Sequence, residues 1–418
     1  MLNNTRLNAE RVGRSGDPVL ALIDIESQGK SVPDMLCEAL HSVRVHLRMD
    51  VAFVAEFAQG LRVFRFVDGS NESTSICAGD SDPLCDTYCQ RVLDGRLPQL
   101  IPDTSQIPAA VALPITAALC IGAYIGVPIR FSDGQLYGTL YCLRSQPDET
   151  LNDRDLETLR VFAAFSGRLL EAQARREHEH DAIATRIRQV LSGRQYRVVY
   201  QPIVDITHNR IIGYEALARF MSDPQRSPDI WFGEAGQVGL QSALELIVIE
   251  EALKGIAHIK DAYLSFNVSP ETILTGAVQP LLDQYPLHRL MLEVTEHASV
   301  PDYGVIADAL APMRCEGLTL AIDDAGAGYA SFRHILQLKP DVIKLDGSLI
   351  RDIDKNLNGQ CLAAALIRFG HETGSRIVAE CVETQAELDM LRELQVTSVQ
   401  GFLLGRPMPL GAADQSNS

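Results

Sequence analysis

The stretch Leu318-Thr319-Leu320-Ala321-Ile322-Asp323-Asp324-Ala325-Gly326-Ala327-Gly328-Tyr329 decides how the second half of the chain is read. It begins as an apolar run suited to a buried strand and changes abruptly to two adjacent carboxylates and a Gly-x-Gly loop, so polar chemistry is delivered at a strand end. Neighbouring carboxylates repel one another and tolerate the repulsion around bound cations, or where one of them keeps a proton. Asp-Asp before glycines can also simply end a strand in a solvated turn. What separates the two readings is how many other strands end in the same way.

From about Arg197 onward the pattern repeats: a short apolar run, a polar residue at its end, then a stretch of helical length and periodicity such as 242–254 or 358–373. The runs are 198–201, 211–215, 263–267, 290–293, 318–324, 342–344, 377–380 and 396–400. Eight β/α units in this space predict a TIM-like (β/α)8 barrel, with its working groups at the C-terminal ends of the strands. Those ends carry Glu215, Asn267, Glu293, Asp323, Asp324, Lys344, Glu380 and Gln400. Carboxylates crowded at one barrel mouth with an amide carbonyl repel each other unless hard divalent cations lie among them. An oxygen-only set favours Mg2+ or Mn2+ over zinc. Two such cations sharing a carboxylate can activate a water and hold a phosphoryl oxygen. Lys344 would then position that water or offset developing charge, and Arg219 could grip a second phosphate with its planar fork. A Schiff-base lyase built on Lys344 leaves the carboxylates and Asn267 unexplained.

Composition sets the class. Hydrophobic residues make up 46% and charged residues 22% of the 418, as in an ordinary globular protein. The formal charge of -17 repels nucleic-acid polymers and anionic membranes, so a phosphate ligand needs local help from metals or arginines. Nine cysteines, an odd number spread through core-like segments, predict free thiols in a reducing cytoplasm. Cys85 and Cys89 could share a helix face, but nothing nearby completes a zinc site. The start of the chain has no apolar signal core. The charge-free stretch 104–129 is broken by Pro108, Pro114 and Pro128 into pieces that suit buried strands and turns better than a membrane span.

The first half reads differently. After a polar segment at 1–19, expected to be disordered, apolar residues recur at helical spacing from Val32 to Leu47, and two alternating runs at 51–57 and 61–67 predict an antiparallel hairpin. A polar loop at 68–75, a helix near 84–93 and strands near 117–121, 123–130 and 135–143 complete an α+β domain. From 151 to 194 the texture turns to Arg, Glu, Ala and Leu, with Leu156, Leu159, Phe162, Phe165 and Leu169 at helical spacing, which predicts one or two long linking helices able to pair as a coiled coil. His178 and His180 point to different helix faces and read as solvated.

The first of these domains, with Cys85-Asp-Thr-Tyr-Cys-Gln-Arg-Val-Leu-Asp-Gly95 ahead of a Leu-Pro and Ile101-Pro-Asp103, resembles a GAF domain, placed at 20–150. Such domains bind small molecules or serve as ligand-free dimerisation units, and no residue set here selects a ligand.

The barrel, placed at 195–410 with a flexible tail at 411–418, resembles the EAL-domain cyclic di-GMP phosphodiesterases. The resemblance rests on Tyr200-Gln-Pro-Ile-Val204, Glu215-Ala-Leu-Ala-Arg219, Asn267-Val-Ser269, Glu293-Val-Thr-Glu296, Asp323-Asp-Ala-Gly-Ala-Gly-Tyr329, Lys344-Leu-Asp346, Ala379-Glu-Cys-Val-Glu-Thr384 and Gln400-Gly-Phe-Leu-Leu-Gly-Arg-Pro407. It implies a bacterial, cytoplasmic, homodimeric enzyme that opens cyclic di-GMP to linear 5'-pGpG with two Mg2+ or Mn2+ ions. Glu215, Asn267, Glu293 and Asp323 match the ligands of one ion, and Asp323, Asp324 and Glu380 those of the other. Lys344 matches the lysine that orients the attacking water. Gln201 and Arg219 match substrate contacts, and Gln400 a polar neighbour of the metal-bound water. Glu296 matches the glutamate that steadies the loop after the paired aspartates. The chain departs from the pattern at Ala325 and Ala327, where Phe and Thr are usual, and at Cys381, where Gly is usual. Those departures leave a cyclic di-GMP receptor without turnover as the alternative.

Overall fold

A computed structural model describes residues 30–69, 76–295, 302–326 and 330–410. The expected disordered start, the flexible tail, most of the 68–75 loop, Glu296 and Ala327 lie outside these residues. Two compact units divide between Glu179 and His180.

In the first unit, helix Val32–His46 starts where Ser31 accepts the Asp34 amide, and it buries the stripe Leu36, Ala39, Leu40 and Val43. The expected hairpin forms β1 (Val51–Ala58) and β2 (Leu61–Gly69), followed by β3 (Ser81–Pro83), β4 (Leu100–Ile101), β5 (Ala123–Arg130) and β6 (Leu136–Arg144). They make one antiparallel sheet in the order β3-β2-β1-β6-β5-β4. Strand alternation sends Ala52 and Val54 into a core under the helices and Val51, Phe53 and Ala55 into a second core on the other face.

Three expectations are corrected. The run 117–121 is not a strand: Pro114 opens helix Pro114–Ala118, and the Thr116 hydroxyl donates to the Ala110 carbonyl at 2.5 Å. The helix expected at 84–93 breaks into a 3-10 turn at Leu84–Asp86 and a helix at Tyr88–Leu93, because the Thr87 hydroxyl caps the second by accepting the Gln90 amide. Cys85 and Cys89 therefore share no face; Cys85 is exposed and the buried Cys89 sulfur takes a 3.1 Å bond from the Thr139 hydroxyl. None of the nine cysteines forms a disulfide.

The linking segment is one 41-residue helix, Asp153–Gly193. Leu159, Phe162 and Phe165 belong to the first unit's core, and Ile187 and Val190 to the second's. Residues 174–182 between them, including His178 and His180, are exposed. Among the described residues no helix is long and apolar enough to cross a membrane.

The second unit is a closed eight-stranded barrel of β7 (Tyr196–Asp205), β8 (Arg210–Phe220), β9 (Tyr263–Asn267), β10 (Leu290–Thr295), β11 (Thr319–Ala325), β12 (Val342–Leu345), β13 (Arg376–Ala379) and β14 (Ser398–Gln400). One correction concerns its first β/α unit. β7 and β8 are joined by a tight turn and not by a helix, so β7 runs antiparallel to both neighbours, β8 and β14, while the other pairs are parallel. The hairpin strands are the two longest of the barrel, so Gln201 and Glu215 sit within strands, directly opposite one another, and not at strand ends. Ala325 is fully buried at the end of β11, where its carbonyl accepts the Asp346 amide at 3.1 Å. A small residue is thus accommodated in the core at that departure from the family pattern.

Candidate active site

The barrel interior is built by the two-residue repeat of its strands. Ile203, Met291, Ala321, Val342 and Val378 form a separate apolar cluster, while the intervening residues Leu292, Leu320, Ile343 and Ile377 face the outer core. Two positions toward the mouth from each cluster member, on the same strand face, stand Gln201, Glu293, Asp323, Lys344 and Glu380. A polar layer therefore rests on an apolar floor. Gly213 belongs to the same arithmetic, two residues before Glu215: a Cβ there would collide with the Tyr263 ring.

Lys344 is the centre of this layer, 1% exposed. Its ammonium lies 2.6 Å from Glu380 Oε1, 2.7 Å from Glu293 Oε2, 2.9 Å from Asp323 Oδ1 and 3.5 Å from Glu215 Oε2. Burial alone disfavours the ammonium, but Asp323, Glu215, Glu293 and Glu380 outweigh it and hold its pKa well above the usual lysine value. Burial lifts Glu293 to about 8, opposed by Lys344 and assisted by Glu215 and Asp323. Burial and the neighbouring Asp323 likewise push Glu380 well above the carboxylate range against the pull of Lys344. One ammonium does not compensate this much buried negative charge.

Around it the side chains form a connected frame. Gln400 Nε2 donates to Glu215 Oε2 at 2.7 Å and to Gln201 Oε1 at 3.1 Å, and Gln201 Nε2 donates to the Gly405 carbonyl at 3.1 Å. Asn267 Nδ2 donates to Glu215 Oε1 at 3.3 Å, leaving its own buried Oδ1, like Glu293 Oε1, without a hydrogen-bond partner among the described residues. Asp324 adopts a left-handed φ of 58°, which aspartate tolerates better than most residues, so the paired carboxylates diverge from consecutive positions.

Two carboxylate groups emerge. One oxygen each from Glu215, Glu293 and Asp323 lie within 4.8 Å of one another, and so do oxygens of Asp323, Asp324 and Glu380. Asp323 is common to both. Orphaned acceptors, an oxygen-only donor set and excess negative charge fit hard divalent cations. The sequence-predicted Glu215, Asn267, Glu293, Asp323, Asp324, Lys344, Glu380, Gln201 and Gln400 are thus brought together. Arg219 stands one position before the end of β8 and lines both a cavity of about 750 Å3 and a neighbouring one of about 240 Å3, as Glu215 does. Glu296 is not among the described residues.

The larger cavity also recruits residues that the strand-end pattern does not mark. Helix Pro228–Gln237 contributes Asp229 and Phe232, helix Gln241–Leu253 contributes Gln241 and Glu245, and the loop after β9 contributes Ser269. Of these, only Ser269 carries a sequence signal, as a helix N-cap followed by Pro270. Cys381, beside Glu380, lines the smaller cavity with φ 56°; burial, then Glu380 and Asp346, pushes its thiol up to about 11.

Comparison with known proteins places this geometry. Residues 31–170 match the GAF domain and residues 184–407 the EAL domain. MucR of Pseudomonas aeruginosa, a bifunctional diguanylate cyclase/cyclic di-GMP phosphodiesterase, is 29% identical over 69% of this chain and 43% of its own length. NbdA of the same organism, a cyclic di-GMP phosphodiesterase, is 31% identical over 60% of this chain and 34% of its own. The chain thus spans less than half the length of these relatives. A solved PaMucR phosphodiesterase in complex with c-di-GMP superposes with a TM-score of 0.51 at 29% identity, covering 56% of this chain and 99% of that one. With more than half of its residues matching that one family, the chain belongs to the EAL domain family and carries a GAF domain ahead of the barrel.

Proposed function

We propose that the chain hydrolyses cyclic di-GMP to linear 5'-pGpG. The observation that carries this reading is the pair of carboxylate groups sharing Asp323 around the buried Lys344. Relatives named as cyclic di-GMP phosphodiesterases support the substrate. Glu215, Asn267, Glu293 and Asp323 would hold one Mg2+ or Mn2+, and Asp323, Asp324 and Glu380 the other. When bound, such ions lower the pKa of water and neutralise charge on phosphoryl oxygens.

The protein's own groups do the rest. With its pKa held high, Lys344 stays an ammonium, so it donates hydrogen bonds to the attacking water or a phosphoryl oxygen and does not serve as a general base. Arg219, between the two cavities, offers a planar fork to the phosphate that is not cleaved. Gln400 and Gln201 fix the orientation of Glu215. One water adds to phosphorus, the P–O3' bond breaks, and the leaving oxygen takes a proton, which opens the ring to a 5'-phosphorylated dinucleotide. The larger cavity, at about 750 Å3, falls in the range of small-molecule sites.

Incubating the protein with cyclic di-GMP and Mn2+ tests the reading. The expected product is pGpG; binding of the dinucleotide with no pGpG at high enzyme concentration overturns it in favour of a receptor. Regulation by the GAF domain is part of the proposal and predicts that Arg62→Met in that domain's core changes kcat of the full chain; an unchanged kcat in a folded variant sinks that part. The proposed homodimer predicts twice the chain mass in sedimentation equilibrium, and a monomer at all concentrations removes it.

A further inference from the structure

Behind Asn267 lies a buried polar network that the strand ends do not include. Ser269, two residues after Asn267, gives both its amide (3.0 Å) and its hydroxyl (2.9 Å) to Glu245 Oε2. Gln241 Nε2 donates to the other carboxylate oxygen at 2.9 Å. Glu245 is 8% exposed, on helix Gln241–Leu253, and no ion pair is formed to it among the described residues. Its two carboxylate oxygens accept from three neutral donors. Ser269 in turn caps helix Pro270–Leu274 by accepting the Thr272 amide at 3.2 Å, and the Thr272 and Ser242 hydroxyls meet at 3.0 Å. The strand is pinned on its other side, where the Val268 amide donates to the Glu293 carbonyl at 2.9 Å. The two residues that follow Asn267, whose Oδ1 is orphaned, are therefore both held by hydrogen bonds.

Burying a carboxylate without a cation is expensive, and the same helix contact could be made by apolar residues at lower cost. What the carboxylate adds is direction: a single oxygen accepting two donors from one residue sets the orientation of that residue's backbone. Side chains that hold a metal ligand in place commonly matter for metal affinity nearly as much as the ligand does.

We propose that Glu245 is a positioning residue for Asn267, acting through Ser269 to aim Asn267 Oδ1 at the cation shared with Glu215, Glu293 and Asp323. The inference rests on the two-cation reading of the site. Asn267 is hydrogen-bonded to Glu215, which belongs to one carboxylate group and not to the other, so Glu245 governs one of the two binding steps. The effect runs through geometry and not charge. An amide at position 245 can still accept from Ser269 if the Gln241 amide turns to present its oxygen, so Glu245→Gln is the conservative variant.

The experiment is calorimetric titration of the full chain with Mn2+, alongside thermal unfolding without metal, for wild type, Glu245→Ala, Glu245→Gln and Ser269→Ala. Glu245→Ala is expected to weaken one Mn2+ step roughly 10- to 100-fold and leave the other unchanged. Ser269→Ala should weaken the same step less, and Glu245→Gln should stay within about threefold of wild type, since its acceptor survives. Both steps at wild-type strength in Glu245→Ala overturn the proposal while leaving the two-cation reading intact. Equal weakening of both steps in step with a lowered melting temperature also overturns it, by reducing Glu245 to a general structural role. A wild type that binds no Mn2+ overturns both readings. If Glu245→Ala does not fold, the order Glu245→Gln tighter than Ser269→Ala decides.

Discussion

Gln400 donates to Glu215 across 2.7 Å, joining strands β14 and β8 over the intervening antiparallel β7. The same amide holds Gln201, the β7 residue opposite Glu215, so three side chains from three strands form one unit. Replacing Gln400 with leucine keeps the volume but leaves Glu215 Oε2 and Gln201 Oε1 without that donor. Stability should fall by about 1–3 kcal/mol and hydrolysis roughly tenfold or more. Because Gln201 shares the bond, urea unfolding of Gln400→Leu, Gln201→Leu and the double variant should show costs that sum to more than the double variant's. Strict additivity would contradict the shared unit.

Lys344 is the buried counter-charge for the carboxylates around it. Lys344→Met should lower kcat by roughly 10²- to 10³-fold, the scale of losing one preorganised donor. In EDTA it should lose about 3–5 kcal/mol, the cost of removing one partner from a buried charged group. Added Mn2+ should therefore raise the melting temperature of the variant more than that of wild type. Wild-type turnover in Lys344→Met would remove this lysine from the reaction.

Glu234 sits between two arginines, with Arg186 of the long helix 2.9 Å from its Oε2 and Arg226 paired with its other oxygen. Its helix, Pro228–Gln237, carries Phe232 on the cavity wall and Trp231 in the core, its ring 5.3 Å from that of Phe220 and tilted by 31°. Glu234→Gln should shift that wall, raising KM roughly three- to tenfold with kcat nearly unchanged, the effect of up to one charge-assisted bond. Trp231, the single tryptophan, reports the change by fluorescence during substrate titration. An unchanged KM rejects the coupling.

Glu387, which belongs to neither carboxylate group, gives a pH-dependent stability increment. Burial opposes its ionisation, but amides of Glu383, Asp352 and Thr384 donate to its carboxylate at 2.9–3.0 Å and hold its pKa below the usual value. Because the folded value is the lower one, ionised Glu387 stabilises the fold fully above the unfolded pKa of about 4.3, and the increment disappears as pH falls through the folded value. Glu387→Ala should therefore cost about 2 kcal/mol at pH 7, where three amides lose an ionised acceptor, and less near pH 3. Unfolding curves at the two pH values measure it; an equal cost at both rejects the assignment.

Much of this site was legible because strand periodicity and residue type coincide. Apolar residues two positions before Glu293, Asp323, Lys344 and Glu380 already place those groups on the inner face of a barrel. Gln201 and Arg62 show where that logic stops. An alternating run specifies which residues share a face and not which face is buried. In β2 it is Arg62, at 2% exposure, that lies inside and pairs with Asp82, while Leu61 is 39% exposed. The reversed direction of β7 has the same origin, since an apolar run has no polarity and only the short turn at 206–209 forces a hairpin.

The sequence by itself determined the barrel, the α+β domain ahead of it and the identity of the polar groups at the mouth, because these follow from local periodicity and from residue types in a fixed order. Only the tertiary structure decided that Gln201 faces Glu215 across an antiparallel hairpin, that Lys344 stands among the carboxylates, and that Glu245 reaches Ser269 from another helix. Such relations depend on distances between side chains from different elements, and the chain specifies those distances only once the barrel has closed.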